Sequence, residues 1–149
     1  MERKKHEFFM KRAIALAKKA KGKTFPNPMV GALVVKNGSI LSEGYHKKAG
    51  TLHAEIIALR KAGTRARGAD LYVSLEPCAH FGRTAPCVDS IVKYGIKRVF
   101  AAMKDPNPLV NGKGFRVLRK KGIKVITGLC REEAGRINSR VYRNNRKNR

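Results

Sequence analysis

The sequence predicts one α/β domain with a mixed, five-stranded sheet in which the last two strands are parallel. Two patterns support this fold class. After residue 53, strand-like and helix-like segments alternate, which is typical of a mostly parallel sheet. Before residue 53, two apolar segments flank the tight-turn sequence Lys36-Asn37-Gly38, which predicts an antiparallel hairpin. The 149 residues can bury about two thirds of the unfolded surface, so the fold needs no covalent cross-links.

The first elements are a helix and the two strands of this hairpin. Apolar residues recur at helical spacing near the N-terminus, so an amphipathic helix should end near Gly22. Its apolar positions are Phe9, Ala13, Leu16, Ala17 and Ala20. Residues 29–35 are continuously apolar, which predicts a strand buried on both faces. Residues 39–45 would form the return strand.

Three more strands and three more helices alternate through the rest of the chain. Gly63 closes the first of these helices, and Pro86 and Gly95 bracket the second. A helix between the fourth and fifth strands implies that this pair is parallel. The tail 140–149 has no apolar period, so it is predicted to fray. The strands are predicted at 69–75, 96–103 and 123–128, and the helices at 55–63, 86–94 and 112–122.

The charge of the chain is strongly one-sided. Lysine and arginine total 34 against 10 acidic residues, which gives a net charge of +24 and a pI near 10.7. A positive charge of this size attracts nucleic acids, anionic lipids and phosphorylated metabolites. Alternatively, it forms only a solvated basic surface without a binding role. The N-terminal apolar run of three residues is too short for a signal peptide, and no segment reaches membrane-spanning length. We therefore expect a cytoplasmic protein without membrane contact.

Two of the three cysteines, Cys78 and Cys87, each follow a proline and have eight residues between them. A disulfide is disfavoured because cytoplasmic thiols stay reduced and the number of cysteines is odd. Three interpretations are left open. The cysteines are packed thiols, or they belong to a structural metal site with Cys130 as a fourth ligand, or they belong to a catalytic metal site.

His53 and Glu55 favour the catalytic interpretation. His53, Cys78 and Cys87 would each lie near the end of a strand or the start of a helix, where α/β folds gather their active sites. Imidazole and thiolate are zinc ligands, and three protein ligands leave a fourth position open. Glu55 stands two residues after His53, and the order His-x-Glu, Pro-Cys, Cys is typical of zinc deaminases, in which the glutamate transfers protons.

Four motifs extend this pattern beyond the metal site. They are PNPMVGALVV (26–35), GYHKKAGTLHAE (44–55), LEPCAHFGRTAPC (75–87) and DPNPLVNGKGF (105–115). With them the sequence resembles, over about residues 7–138, the pyrimidine deaminases of riboflavin biosynthesis. Their long loop between the cysteines replaces the two residues usual in zinc deaminases. The resemblance implies a cytidine-deaminase-like three-layer α/β/α fold, a Zn²⁺ cofactor on His53, Cys78 and Cys87, and Glu55 as the catalytic residue.

The resemblance also implies the reaction and the substrate contacts. The expected reaction is hydrolytic deamination of 2,5-diamino-6-(5-phosphoribosylamino)pyrimidin-4(3H)-one to the 5-amino-uracil product. The positions that match the family are Asn27, His46, His80, Arg83 and Asn107. Asn27 is expected at the ring or the ribose, and Arg83 at the phosphate. Alternatively, the two asparagines only form turns and His80 only packs the loop.

The expected organisation is a deaminase domain over 1–139, followed by the basic tail 140–149. Bacterial members of this family are often fused to a C-terminal reductase, and no reductase domain is expected in this sequence. Either a separate reductase serves a stand-alone deaminase, or the sequence is part of a longer chain. A homo-oligomer is also expected. Because the tail matches no motif of the family, its removal is expected to spare deamination.

A rival interpretation is a deaminase of bases in tRNA or single-stranded DNA, which would use the same zinc chemistry. The charge of +24 favours a polyanion, but 7% of the residues are aromatic and none is tryptophan. Base-flipping enzymes stack the target base on aromatic side chains, which disfavours this rival. We therefore expect nucleic acid to bind without base recognition and to be released by salt. A non-enzymatic zinc module is disfavoured because it has no use for Glu55.

Overall fold

The computed structural model describes residues 2–80 and 85–147. Within them, the strands are β1 (Gly31–Lys36), β2 (Ser39–Tyr45), β3 (Asp70–Val73), β4 (Arg98–Ala101) and β5 (Lys124–Thr127). The helices are α1 (Glu2–Lys18), α2 (Ala54–Ala62), α3 (Cys87–Lys93), α4 (Lys113–Lys120), α5 (Arg131–Ile137) and α6 (Ser139–Lys147), with a 3₁₀ turn at Gly63–Ala66. Every predicted strand and helix is confirmed, with bounds that differ by a few residues, whereas the sequence patterns do not indicate α5 and α6.

The sheet has the strand order β2-β1-β3-β4-β5. β1 pairs antiparallel with both β2 and β3, whereas β3, β4 and β5 pair in parallel. The predicted hairpin and the predicted parallel pair of last strands are therefore confirmed. Because parallel strands end at the same edge of a sheet, the segments that follow β3 and β4 emerge side by side. These two segments contain Cys78 and Asn107.

The side chains of each central strand alternate between two hydrophobic cores, one on each face of the sheet. Ala32 and Val34 of β1 pack in the core formed with α2, α3 and α4, whereas Leu33 and Val35 pack in the core formed with α1 and α5. None of the four is more than 3% exposed. The predicted burial of the first strand on both faces is confirmed, and helices on both faces give the expected three-layer α/β/α arrangement.

The C-terminal segment is helical and packed. Val141 and Tyr142 of α6 are each 8% exposed, and they form a small core with Leu75. The prediction of a frayed tail is therefore wrong for this segment, and removal of residues 140–149, which was expected to spare deamination, would take away this core. Its two apolar residues are adjacent, so they show no helical period, and they are buried only by contact with residues distant in sequence. Leu75 lies between β3 and Cys78, so α6 supports the segment that leads to a predicted metal ligand.

We expect Tyr142→Ala to lower the free energy of unfolding by about 3 kcal/mol, because it removes a buried aromatic ring from this core. The neighbouring exposed residue provides a matched control, since Arg143→Ala should change that free energy by less than about 0.5 kcal/mol. Urea unfolding followed by circular dichroism measures both variants. Equal free energies for the two variants would contradict the packing of α6.

Few basic residues can have an acidic partner, because the chain has 34 basic and 10 acidic residues. Three ion pairs occur in the part of the chain that the structure describes. They are Arg3–Glu7, Arg12–Glu43 and Arg98–Asp70. Over the same residues, none of the helices combines the length and the apolar character needed to cross a bilayer.

Candidate metal and catalytic site

Three side chains of metal-binding type meet at the ends of secondary structure elements. His53 immediately precedes α2, Cys87 is the first residue of α3, and Cys78 lies in the segment after β3. The Nδ1 atom of His53 lies 3.2 Å from Cys87 Sγ and 3.9 Å from Cys78 Sγ. One ligand atom from each residue lies within 4.8 Å of the others. The structure thus brings together the three predicted ligands, which are called the metal cluster below.

The spacing of these atoms fits a zinc ion. Tetrahedral zinc binds sulfur at about 2.3 Å and nitrogen at about 2.0 Å, which places the two ligand atoms about 3.5 Å apart. The nitrogen–sulfur distances of 3.2 Å and 3.9 Å lie on either side of that value. Cys130, the alternative fourth ligand, instead packs against the core on the other face of the sheet. For the described residues, the metal cluster therefore consists of one nitrogen and two sulfur donors.

The two thiols of the metal cluster differ in proton affinity. Hydrogen bonds from Cys87 and His53 stabilise the thiolate of Cys78 and lower its pKa well below that of an ordinary thiol. The hydrogen bond to Cys78 raises the pKa of Cys87, and burial raises it further. Hydrogen bonding to Cys78 also raises the pKa of His53. The site therefore stabilises one thiolate before a metal binds, and a metal ion would replace the remaining protons.

Glu55 lies in the first turn of α2 and is 3% exposed. Burial raises the pKa of its carboxyl group to about 7, against an opposing effect of His53. A carboxyl group with a pKa near neutrality can both accept and donate a proton at physiological pH. Glu55 therefore has the burial and the proton affinity of a general acid–base group.

A cavity of about 200 Å³ lies beside the metal cluster and is lined in part by His53, Glu55 and Cys78. Four of the five residues predicted to bind substrate also line this cavity. They are Asn27, His46, His80 and Asn107. The fifth, Arg83, lies outside the described residues. The structure thus places four of these side chains in one cavity with Glu55, and their roles stay predictions.

His46 connects Asn27 to the metal cluster. It is 3% exposed, and burial lowers its pKa. Its Nδ1 atom lies 3.1 Å from the Leu52 carbonyl oxygen, and its Nε2 atom lies 3.4 Å from Asn27 Nδ2. These hydrogen-bond partners indicate a neutral imidazole ring of His46, which donates from Nδ1 and accepts at Nε2. The ring also packs edge-on against His53, with 5.4 Å between centroids. A neutral His46 thus helps to hold both Asn27 and His53 in place.

Asn138 supports the cavity, although no sequence pattern indicates it. Its buried side chain accepts a hydrogen bond from the Met29 N–H at 2.6 Å and donates one to the Met29 carbonyl oxygen at 2.8 Å. Met29 lies between Asn27 and Val30, which both line the cavity. The junction of α5 and α6 therefore fixes one wall of the cavity. The two residues are 109 positions apart, and no local pattern can predict that they meet.

Two further acidic residues, Glu76 and Asp105, line the cavity without having been predicted there. Asp105 accepts a hydrogen bond from the Asn107 N–H at 2.9 Å, and burial raises its pKa to about 6. Glu76 is 4% exposed and accepts hydrogen bonds from three backbone N–H groups. The sequence feature that could have indicated Glu76 and Asp105 is their position in the motifs 75–87 and 105–115. Their partners are backbone amides, which leave no mark in a sequence.

Comparison with known proteins agrees with this geometry. Residues 3–103 match the family model described as the cytidine and deoxycytidylate deaminase zinc-binding region. A protein of Buchnera aphidicola subsp. Schizaphis graminum, described as a diaminohydroxyphosphoribosylamino-pyrimidine deaminase, is 50% identical over 139 residues. That match covers 93% of this chain and 95% of the Buchnera protein.

Two longer proteins are also similar. The riboflavin biosynthesis protein RibD of Aquifex aeolicus is 58% identical over 134 residues, which are 90% of this chain and 38% of that protein. The crystal structure of a diaminohydroxyphosphoribosylaminopyrimidine deaminase/5-amino-6-(5-phosphoribosylamino)uracil reductase from Thermotoga maritima superposes with a TM-score of 0.95 at 45% identity. It matches 100% of this chain and 43% of its own length. The chain therefore spans about two fifths of the length of these two relatives.

Proposed function

The chain belongs to the cytidine and deoxycytidylate deaminase zinc-binding family, and within it to the diaminohydroxyphosphoribosylaminopyrimidine deaminases, and from this premise we propose its reaction. It hydrolyses the 2-amino group of 2,5-diamino-6-(5-phosphoribosylamino)pyrimidin-4(3H)-one and yields the 5-amino-uracil product and ammonia. The observation that supports this most directly is the buried carboxyl group of Glu55 in one cavity with His53 and Cys78. A purely structural metal site would have no use for a buried acid at this position.

His53, Cys78 and Cys87 would hold the zinc ion of this family through one nitrogen and two sulfur donors. When bound, zinc acts as a Lewis acid that makes a water molecule nucleophilic near neutral pH. The protein keeps the imidazole of His53 oriented for this task, because His46 packs edge-on against it. In that orientation the Nδ1 atom of His53 faces the two sulfur atoms.

Glu55 would move the protons of the reaction. It accepts a proton from the attacking water as the C–O bond forms at C2 of the pyrimidine, and it delivers this proton to the ring nitrogen. It then takes the proton of the new hydroxyl group and gives it to the amino group, so that the C–N bond breaks and ammonia leaves. The pKa of about 7 suits both directions of transfer.

The polar side chains of the cavity would bind the substrate. The Oδ1 atom of Asn107 accepts a hydrogen bond from the Leu109 N–H at 3.0 Å. Its NH₂ group would therefore donate to an acceptor atom of the substrate. Asn27 uses Nδ2 toward His46, so its Oδ1 atom can accept from the ring or the ribose. His80 is exposed where it lines the cavity, and we place it beside the ribose phosphate.

We expect Arg83→Ala to weaken binding of the phosphorylated substrate by about 2–3 kcal/mol, as for the loss of a charge-assisted hydrogen bond. The expected partner of Arg83 is the phosphate, so the dephosphorylated analogue should lose much less. KM values for both compounds, measured with the variant and with wild type, give the comparison. Arg143→Ala, an exposed arginine of α6, is the control. Equal losses on the two compounds would contradict a phosphate contact.

Ammonia release tests the proposed function. The zinc-loaded protein is incubated in parallel with the phosphoribosyl pyrimidine, with tRNA and with single-stranded DNA. We expect turnover of the pyrimidine alone. Deamination of a base in either nucleic acid, without turnover of the pyrimidine, would replace the proposed function by the nucleic-acid alternative.

We also propose that the product passes to a reductase, because the name of the Thermotoga maritima relative combines a deaminase with a reductase. The reductase is either a separate protein or another part of the same chain. Residues 1–139 together with α6 would form the deaminase unit, since Val141 and Tyr142 pack against Leu75. A homo-oligomer and a cytoplasmic location stay predictions.

A further inference from the structure

Glu76 is a buried carboxylate close to the metal cluster but outside it. It is 4% exposed and lies two residues before Cys78. Its side chain is in no ion pair with the side chains that the structure describes, those of residues 2–80 and 85–143. Burial of a carboxylate is unfavourable unless hydrogen bonds replace its hydration. The hydrogen-bond partners of Glu76 therefore indicate what it holds in place.

These partners are backbone N–H groups at both ends of one segment, residues 105–115, which we call the site loop. Oε1 of Glu76 accepts hydrogen bonds from Asp105 N at 3.0 Å and Gly112 N at 2.9 Å, and Oε2 accepts one from Phe115 N at 3.2 Å. Gly112 and Phe115 lie at the start of α4, where N–H groups lack partners within the helix. One carboxylate thus joins the two ends of the site loop.

The site loop brings Asn107 to the cavity. Oδ1 of Asp105 accepts the Asn107 N–H at 2.9 Å, and the Asn107 carbonyl oxygen accepts the Val110 N–H at 2.9 Å. All three residues line the cavity. Glu76 fixes the backbone of Asp105, and Asp105 in turn fixes the backbone of Asn107. The position of the Asn107 side chain therefore depends on Glu76.

The site loop also lies directly against the segment that leads to Cys78. A Cβ atom added at Gly114 would lie 2.0 Å from the Pro77 carbonyl oxygen, so only glycine allows this approach. The backbone N–H of Glu76 donates to the Met103 carbonyl oxygen at 3.0 Å, just before the site loop begins. Contacts of Glu76 and Pro77 thus set the position of the site loop relative to the neighbouring ligand Cys78.

We propose that Glu76 is a positioning residue that holds Asn107 where the substrate requires it relative to the metal cluster. The role rests on the proposed deaminase function and is exerted through the site loop, not through the zinc ion or the proton transfers. Both carboxylate oxygens are needed because three N–H groups point at them. Glutamine keeps the size of the side chain but turns one oxygen into an NH₂ group, which cannot accept an N–H.

The test compares the zinc-loaded variants Glu76→Gln, Asn107→Ala and their combination on the phosphoribosyl pyrimidine. We expect Glu76→Gln to raise KM about tenfold, as for the loss of one charge-assisted hydrogen bond, with kcat within about twofold of wild type. Zinc content should not change. The double variant should have the KM of Asn107→Ala, because both changes remove the same contact. Glu132→Gln, at an exposed glutamate, is the control.

An unchanged KM, additive effects of the two substitutions, or a loss confined to kcat or zinc content would each overturn the proposal. Glu76→Asp provides a second variant if glutamine prevents folding. Its shorter side chain cannot reach both ends of the site loop, so the same rise in KM is expected.

Amide hydrogen exchange gives a readout that needs no substrate. In Glu76→Gln, exchange should become faster in the site loop and stay unchanged in residues 27–30, which Asn138 supports. Unchanged exchange in the site loop would overturn the role of Glu76. Failure of the wild-type enzyme to turn over the pyrimidine would count against the proposed function instead, so the two failures are distinguishable.

Discussion

Glu55→Gln is expected to retain about one zinc ion per chain and to lose about 10³-fold in kcat, the usual size of a general acid–base contribution. Glutamine has nearly the same shape as the buried Glu55 side chain but cannot take up and return a proton. The metal cluster keeps its three donors in this variant. Ammonia release and metal analysis of the same preparation measure the two quantities.

The matched control for this variant is Glu132→Gln, which makes the same chemical change at an exposed position. It should keep both the zinc ion and the wild-type rate. A wild-type rate for Glu55→Gln would show that another group moves the protons. Loss of zinc from Glu55→Gln would instead show that the buried carboxyl group supports the metal cluster.

Cys78→Ser is expected to remove zinc and, with it, nearly all turnover. A serine hydroxyl stays protonated near neutral pH, so it cannot replace the thiolate that the hydrogen bonds of Cys87 and His53 stabilise at Cys78. Loss of a zinc ligand should lower the metal content to about one tenth of wild type or less after dialysis. Removal of even a hydrogen-bond partner of a ligand lowers metal affinity by about 10- to 100-fold. Metal analysis and ammonia release measure the outcome.

Cys130→Ser is the matched control because it makes the same change on the other face of the sheet. It should keep both zinc and activity. Depletion of zinc in Cys130→Ser would contradict a site with three protein ligands and would support the structural interpretation. Full zinc content in Cys78→Ser would remove Cys78 from the ligand set.

The sheet and the metal cluster could be predicted because their signals are local. The continuous apolar run of the first strand reports burial on both faces, and Ala32 and Leu33 indeed face different cores. The three metal-type residues follow strands or begin helices, and the topology of an α/β sheet then brings them together. Metal-binding residues at the ends of strands or the starts of helices can therefore be predicted whenever the strands and helices themselves can be predicted.

The supports of the site could not be predicted, because they depend on tertiary contacts. Asn138 acts on Met29 across 109 positions, and Glu76 acts on backbone N–H groups that every non-proline residue possesses. α6 is stabilised by two adjacent apolar residues that meet Leu75, so it has no amphipathic period. A motif thus predicts which polar residues lie in the site. The residues that contact and support them can be identified only from the folded structure.

The burial of acidic side chains at the cavity makes the outer charge of the protein still more one-sided. Glu55, Glu76 and Asp105 are buried, which leaves seven of the ten acidic residues to face 34 basic ones. Mutual repulsion among the basic side chains opposes the compact state, and dissolved ions weaken that repulsion over about 10 Å at 0.1 M ionic strength. The folded chain therefore depends on its ionic surroundings, and anions in solution act as the counter-charge that its own surface lacks.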